Sequence, residues 1–194
     1  MKTVFQIALY VVIIVLGFFI YRSIMEPINF RREAAHREER IIQRLKDIRN
    51  IQVAHRSTYG VFNSSLDSLV DFVKYDSMPI VEAIGAVPDS LTEKEALDLG
   101  IVQRDTSWMD VKDTLYHKKK YPVDSIPYVP FSGGERFEMN AGVIERGLVE
   151  IPVFEARTPA EVYMKGLDDY KTYYTREELK VGSMEQSSTD GNWE

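Results

Sequence analysis

Cysteine is absent from this chain of 194 residues, and only three histidines are present. The lack of cysteine excludes disulfides, thiol nucleophiles, iron–sulfur clusters and zinc sites with cysteine ligands. The histidines, His36, His55 and His117, are too few and too scattered to predict a metal site. Because no Ser/His/Asp triad and no phosphate-binding loop can be read from the sequence either, we expect no cofactor and no enzymatic activity.

Charge is missing from the stretch between Lys2 and Arg22. Residues 4–21 read VFQIALYVVIIVLGFFIY, in which Gln6 is the only strongly polar residue. A helix of this length spans about 27 Å, close to the ~30 Å hydrocarbon core of a bilayer. A cleaved signal peptide is the alternative, but its apolar region usually has only about 7–15 residues and ends in a small-residue cleavage site. We therefore predict a single transmembrane helix over residues 4–21, behind a short tail of residues 1–3.

The remaining charge is distributed unevenly. Residues 31–60 carry eight lysines and arginines against four acidic residues, whereas residues 61–194 carry fourteen against twenty-five. An acidic domain binds nucleic acid poorly, since phosphates require clustered cations, so we expect no nucleic-acid partner. The arginines after the span favour a cytoplasmic domain by the positive-inside rule, whereas a short tail, a span and a long following domain form the layout of an exported signal anchor. Both orientations stay open on the charge pattern alone.

A stalk helix is predicted after the membrane span. Pro27 and Asn29 are expected to interrupt the helix as it leaves the bilayer. Periodicity then predicts an amphipathic helix from about residue 31 to residue 58, within a juxtamembrane stalk of residues 22–60. A 4-3-4 spacing relates Ile41, Leu45, Ile48 and Gln52, and Ile42, Ile51 and Ala54 widen this largely apolar stripe. This stripe either packs on the following domain or contacts a protein partner or a second copy.

A head domain is predicted over residues 61–183, and its first elements are predicted to be helices. Tyr59 and Gly60 end the stalk helix, and Asn63 or Ser64 caps a second helix. The segment Thr92-Glu93-Lys94-Glu95 is a capping box, and it opens a third helix that Gly100 ends. A second such box, Thr158-Pro159-Ala160-Glu161, opens a short helix further along the chain.

Short strands are predicted in the second half of the head. The candidates are residues 108–116, 121–131, 137–139 and 148–154, with turns at 132–134 and 140–142. The last candidate alternates apolar and polar residues, as a half-buried edge strand does. The polar tail of residues 184–194 is expected to be mobile apart from Trp193. Helices followed by antiparallel strands predict an α+β fold.

Residues 4–73 resemble the layout of type IV pilins and type II secretion pseudopilins. An apolar helix leads into an amphipathic helix ending RLKDIRNIQVAHRSTYGVF (44–62), and the serine-capped segment SLDSL (65–69) follows. In those families, a similar glycine–aromatic turn ends the long helix before an α+β head. The glycine–phenylalanine cleavage site ahead of the helix and the glutamate near its start are absent here, so the resemblance implies pilin-like architecture and not prepilin processing.

A second resemblance extends along most of the chain. The segments RLKDIRNIQVAHRSTYG (44–60), VPFSGG (129–134), FEA (154–156), KGLDD (165–169) and GNWE (191–194) are similar to an uncharacterised family of single-pass membrane proteins from Bacteroidota. The two resemblances imply a bacterial inner-membrane protein with a periplasmic head. We expect a non-enzymatic envelope protein that contacts the lipid bilayer and a protein partner during assembly, scaffolding or secretion. A membrane-tethered ligand-binding or regulatory domain is the alternative.

Overall fold

The computed structural model describes residues 2–85, 92–117, 121–167 and 170–194. The fold is α+β, as predicted, because one long apolar N-terminal helix precedes a small head of short helices and antiparallel sheets. The helices are α1 Lys2–Tyr59, α2 Leu66–Tyr75, α3 Glu93–Asp98, α4 Val111–Tyr116, α5 Ala160–Tyr163 and α6 Tyr170–Tyr173, with a 3₁₀ turn at Val123–Ser125. The strands are β1 Ser77–Ile84, β2 Gln103–Asp110, β3 Glu138–Arg146, β4 Val149–Pro159 and β5 Glu178–Gly182.

Helix α1 runs without a break from the apolar N-terminus into the head. It has 58 residues, which corresponds to a length of about 87 Å at 1.5 Å per residue. The expected interruption at Pro27 and Asn29 is wrong, because both residues lie inside the helix. A proline removes the backbone hydrogen bond to the carbonyl four residues earlier, here that of Ser23. Ser23 belongs to an exposed stretch, where water can replace the lost donor.

The head packs around the second half of α1. All side chains at residues 5–21 are exposed, and the first buried side chain of the helix is Phe30. The predicted stripe, Ile41, Leu45, Ile48 and Ile51, is fully buried, and it shares one hydrophobic core with Leu66, Leu69 and Val70 of α2. In this fold the stripe therefore contacts the chain's own head and not the solvent.

The reversal between α1 and α2 depends on a glycine and a serine cap. Gly60 has a φ of 80°, a backbone conformation that suits a residue without a side chain at a helix C-terminus. The cap of α2 is Ser65 and not Asn63 or Ser64, since the Ser65 hydroxyl accepts a hydrogen bond from the Ser68 amide at 3.4 Å. Asn63 contributes from outside the helix, because its side-chain oxygen accepts a hydrogen bond from the Ser65 amide at 2.8 Å.

The capping box before α3 is confirmed, whereas the one before α5 is wrong. The Thr92 amide and hydroxyl both donate to the Glu95 carboxylate, and the Glu95 amide donates back to the Thr92 hydroxyl at 3.4 Å. The Thr158 hydroxyl, in contrast, is buried without a hydrogen-bond partner. Thr158 is one residue too early to cap α5, because Pro159 occupies the N-cap position and Thr158 pairs with Leu179 in the sheet.

The described strands form two separate antiparallel sheets. Strands β1 and β2 pair with each other alone, and we call this two-stranded sheet the ribbon. The second sheet has the order β3-β4-β5, so β4 is its central strand and not the edge strand that we expected. The turn expected at residues 140–142 is also wrong, because these residues pair with β4, and the chain reverses at Gly147 and Leu148 instead.

Two further strand predictions need correction. The candidate at residues 108–116 is a strand only as far as Asp110, and α4 follows it. The candidate at residues 121–131 contains a 3₁₀ turn and further turns, with one isolated bridge between Tyr128 and Arg136. Strands β1 and β5 were not predicted at all.

The C-terminal tail is docked on the head, which differs from the mobile tail that we expected. The Gly182 amide donates to the carbonyl of Asp190 at 2.9 Å, and the Asn192 amide donates to that of Lys180 at 3.0 Å. At the end of the chain, the Glu194 carboxylate lies 2.8 Å from the guanidinium of Arg49 on α1. The tail therefore connects the small sheet to the long helix.

Candidate functional site

The N-terminal part of α1 has the length and composition of a membrane span. Its apolar window has a mean hydropathy of 2.3, and none of that window is buried within the chain. Residues 22–29 follow as a segment with almost no cover from the head, and the Arg22 guanidinium faces the Glu26 carboxylate at 3.8 Å. At 1.5 Å per residue this segment is about 12 Å long, more than the ~5–8 Å layer of lipid head groups on one side of a bilayer.

The three histidines lie far apart along the helix and the head. His36 contacts the ring of Phe131 at 5.9 Å between ring centroids, near the start of the head. His55 is buried near the opposite end, and His117 follows α4 with a φ of 48°. Within the described ranges, no group of three or more histidine or acidic side chains could hold a metal ion.

The loop at Ser132 is a turn that satisfies its own polar groups. The Ser132 hydroxyl donates to the carbonyl of Val129 at 2.7 Å and accepts from the amides of Gly134 and Glu135 at 3.2 and 2.9 Å. These amides point at the hydroxyl of their own loop, so they do not form a cradle for an anion.

A cleft of about 250 Å³ lies between α1 and α4 and contains a buried carboxylate. Asp47 on α1 accepts hydrogen bonds from the hydroxyl of Tyr121 and from the side-chain amide of Gln43. The ring of Tyr121 stacks on that of Tyr116, with centroids 4.0 Å apart and an angle of 9° between the planes. Burial raises the pKa of Tyr121 most, and the hydrogen bond to Asp47 raises it further.

A second, partly buried network joins α1 to α5 and to the residue that follows α6. The Glu38 carboxylate accepts a hydrogen bond from the Tyr174 hydroxyl, whose oxygen lies 2.8 Å from that of Tyr163. Burial raises the pKa of Tyr163 to about 12, and burial together with Glu38 raises the pKa of Tyr174. A tyrosine with a raised pKa stays protonated at neutral pH, so Tyr121, Tyr163 and Tyr174 act here as neutral hydrogen-bonding groups.

A shallow depression of about 490 Å³ lies where α1 and α2 both end, and we call it the distal notch. Its aromatic lining includes His55, Tyr59 and Phe72, and its polar lining includes Asp71 and Asp76. The His55 ring lies 4.8 Å from that of Tyr59 and 5.1 Å from that of Phe72. Of the sites described here, this one lies farthest along α1 from the apolar N-terminus.

The ribbon presents an exposed strand to the solvent. Every residue of β2 is exposed, including Trp108 at 64%. In the antiparallel register Trp108 lies opposite Pro79, and Thr106 lies opposite Val81. Directly opposed residues share a face of a sheet, so these four side chains form one surface, which we call the tryptophan face.

The polar residues of β2 are a sequence signal for an exposed ribbon. The segment QRDTSWMD places polar residues at both odd and even positions, so neither face of β2 can be a continuous apolar surface. The distal notch had no comparable signal, because its residues come from two helices and the turn between them.

No protein-family model, curated protein or solved structure matches the chain. The class of protein is therefore defined by the fold alone. It has one N-terminal helix long and apolar enough to span a membrane and a small α+β head built around the same helix.

Proposed function

We propose that this chain is a non-enzymatic membrane-anchored envelope protein that acts in assembly, scaffolding or secretion through protein contacts. The observation that carries the proposal is that a single helix forms both the apolar segment and the centre of the head core. Such a helix holds the head at a fixed height above the bilayer and presents its surfaces to other envelope components.

The ribbon supports a function through protein contacts. A sheet of two strands is only marginally stable in water, and within the described ranges neither β1 nor β2 pairs with a further strand. The ribbon nevertheless carries Trp108, Val81 and Met109 at 64%, 55% and 44% exposure. Apolar side chains beside free strand edges are typical of a surface that binds another polypeptide.

The tyrosine networks support a structural role for their two carboxylates. The hydroxyls of Tyr121 and Tyr174 are engaged with Asp47 and Glu38, and both pairs link α1 to the head. The second candidate function, a tethered ligand-binding or regulatory domain, is favoured by one observation, the distal notch with its aromatic and acidic lining.

The proposed location is the bacterial inner membrane, with the head in the periplasm. The pilin-like layout supports it, since α1 continues from the apolar segment of residues 4–21 into a head that begins with a glycine-ended turn and a serine-capped helix. The similarity of the quoted segments to single-pass membrane proteins of Bacteroidota supports the same location.

Photo-crosslinking in intact cells tests the proposed protein contacts. A photoreactive phenylalanine analogue at Thr106 lies on the tryptophan face and leaves Trp108 in place. We expect one discrete crosslinked product, either with another protein or with a second copy of the chain. The matched control is the same analogue at Asp105, which is equally exposed but lies on the opposite face of β2.

The comparison of the two positions decides the outcome. A product from Thr106 that is weak or absent from Asp105, and that disappears after Trp108→Ala, supports a specific contact. Equal labelling from both positions, or no product from either, would show that the ribbon is not a contact surface. Mass spectrometry of the product then distinguishes self-association from a different partner.

A further inference from the structure

We propose that the distal notch binds an arginine side chain of a partner polypeptide. This inference is independent of the ribbon, because the notch either accepts or rejects a guanidinium group whatever the ribbon contacts. It rests on three features of the notch: its unpaired carboxylates, its aromatic walls and the two helix ends that meet there.

Two carboxylates in the notch are free of close ion pairs. Among the described residues, neither Asp71 nor Asp76 forms an ion pair within 4.0 Å, and the Asp76 carboxylate accepts the hydroxyl of Tyr59 at 2.9 Å. The nearby Lys74 is paired with Asp124 instead. Each carboxylate therefore retains free acceptor positions for a donor that enters from outside.

The walls of the notch suit a flat cation. Tyr59 and Tyr75 are 54% and 79% exposed, and both line the depression. An aromatic face attracts a cation through its quadrupole, and the planar guanidinium of arginine stacks on such faces better than the ammonium of lysine does.

The backbone adds negative potential at the same place. Helix α1 ends at Tyr59 and α2 ends at Tyr75, and both residues line the notch. The C-terminal end of a helix carries a partial negative charge, which favours a cation. Arg56, in the last turn of α1, does not neutralise it inside the notch, because its guanidinium lies over the ring of Phe62 at 5.3 Å.

The chain already contains one example of the proposed arrangement. The guanidinium of Arg136 lies 2.5 Å from the carboxylate of Asp67 on α2 and 5.8 Å from the ring centroid of Tyr128. Asp71 lies four residues after Asp67 and so one turn further along the same side of α2. The notch therefore repeats the aspartate and the tyrosine of this arrangement but lacks its arginine.

The test uses the full chain with ¹³C-labelled tyrosine in an uncharged detergent. Tyr59 and Tyr75 signals are assigned by substitution with phenylalanine, and N-acetyl-arginine amide is titrated as the probe. We expect both signals to shift saturably. N-acetyl-citrulline amide, which has a similar shape without the charge, should leave them unchanged. A second arm uses a short peptide with one central arginine, which should bind at least as tightly as the free amino-acid derivative if a polypeptide is the partner.

Substitutions then locate the site. Asp71→Asn combined with Asp76→Asn should weaken binding of the probe by about tenfold, since both charges are lost and both side chains still accept hydrogen bonds. The control is Glu161→Gln on α5, an exposed carboxylate outside the notch that forms no ion pair among the described residues, with an expected change below about twofold. Because Asp71 is exposed and unpaired, Asp71→Asn alone retains the fold and guards against a result caused by misfolding.

Three results would overturn the proposal. The first is an absence of any shift of the Tyr59 and Tyr75 signals at saturating probe. The second is equal binding of the citrulline derivative, which would show that charge plays no part. The third is equal weakening by Glu161→Gln, which would place the binding outside the notch.

Discussion

Gln52 and Asn63 exchange two hydrogen bonds across the reversal between α1 and α2. The Gln52 side-chain nitrogen donates to the Asn63 carbonyl at 2.6 Å, and the Asn63 amide donates to the Gln52 side-chain oxygen at 2.9 Å. Gln52 is fully buried, and its side-chain amide supplies the donor and the acceptor that the backbone of Asn63 would otherwise lack. This pair ties the end of the long helix to the start of the head.

Replacing Gln52 by leucine should therefore destabilise the head although it adds apolar volume. Leucine leaves the backbone N–H and C=O of Asn63 without partners, and each buried unsatisfied group costs about 1–3 kcal/mol. We expect Gln52→Leu to lower the free energy of unfolding by about 2–5 kcal/mol, measured by chemical denaturation in detergent. Asn50→Leu, at an exposed position of the same helix, is the control and should change it by less than about 1 kcal/mol. Equal effects of the two substitutions would contradict this role of Gln52.

The buried stripe gives a second prediction. Leu45 is fully buried, so Leu45→Ala should cost about 2–5 kcal/mol of unfolding free energy, whereas Val53→Ala, at a side chain that is 48% exposed, should cost less than about 1 kcal/mol. A fragment from residue 30 retains the whole core and should be soluble and folded. A fragment from residue 60 lacks the stripe and should aggregate or unfold. If the shorter fragment melts as cooperatively as the longer one, the stripe is not part of the head core.

The buried tyrosines predict a loss of stability at high pH. Burial raises the pKa of Tyr163 to about 12 from an ordinary value of 10.0, and burial also raises the pKa of Tyr121 and Tyr174. The folded state favours the neutral hydroxyls, so their contribution is intact below pH 10 and is lost as the pH rises through about 12. Tyrosinate absorbance should show exposed tyrosines ionising first and buried ones only as circular dichroism reports unfolding. Ionisation of all eleven tyrosines in one step without unfolding would refute the prediction.

Membrane insertion can be tested by alkaline carbonate extraction. The full chain should stay in the membrane pellet, because its apolar run has no cover from the head. The fragment from residue 30 serves as the control and should be released, since it retains the head without the apolar run. Release of the full chain would mean that the run is covered by protein in the cell.

The orientation of the head is tested with a reporter. Alkaline phosphatase fused after Glu194 should be active, because we place the head in the periplasm. Activity of a cytoplasmic reporter alone would instead identify Arg22, Arg31 and Arg32 as a retention signal. Extra lysines after Lys2 provide the control. If the head is periplasmic, they should strengthen its export; if the head is cytoplasmic, they should reverse the orientation.

The helices could be predicted from the sequence much better than the strands. The 4-3-4 spacing of Ile41, Leu45, Ile48 and Gln52 has a single helical interpretation, and the structure has that helix. Strand β1 was missed because it contains Pro79, which normally argues against a strand. Among the described strands β1 pairs with β2 alone, so a proline costs no sheet hydrogen bond where its missing N–H would face the unpaired edge.

Glycine and proline signals were ambiguous in the second half of the chain. Gly142 indicated a turn, but it lies within β3, where an added side-chain carbon would approach the methyl group of Met184 to 3.3 Å. Glycine there permits the tail to pack closely, which no local pattern can reveal. The pairs Asp47–Tyr121 and Glu38–Tyr174 join residues 74 and 136 positions apart, so only the folded chain shows them.

Because α1 is continuous, a tilt of its apolar segment is transmitted along the helix to the head. About 70 Å of helix separates the middle of the apolar segment from Tyr59 at the distal notch. A change of only ~10° in the tilt of the anchor would therefore move the notch sideways by about 12 Å. Lateral pressure or a neighbouring helix in the bilayer could thus swing the far end of the head across several times the width of an amino-acid side chain, without any rearrangement of the core.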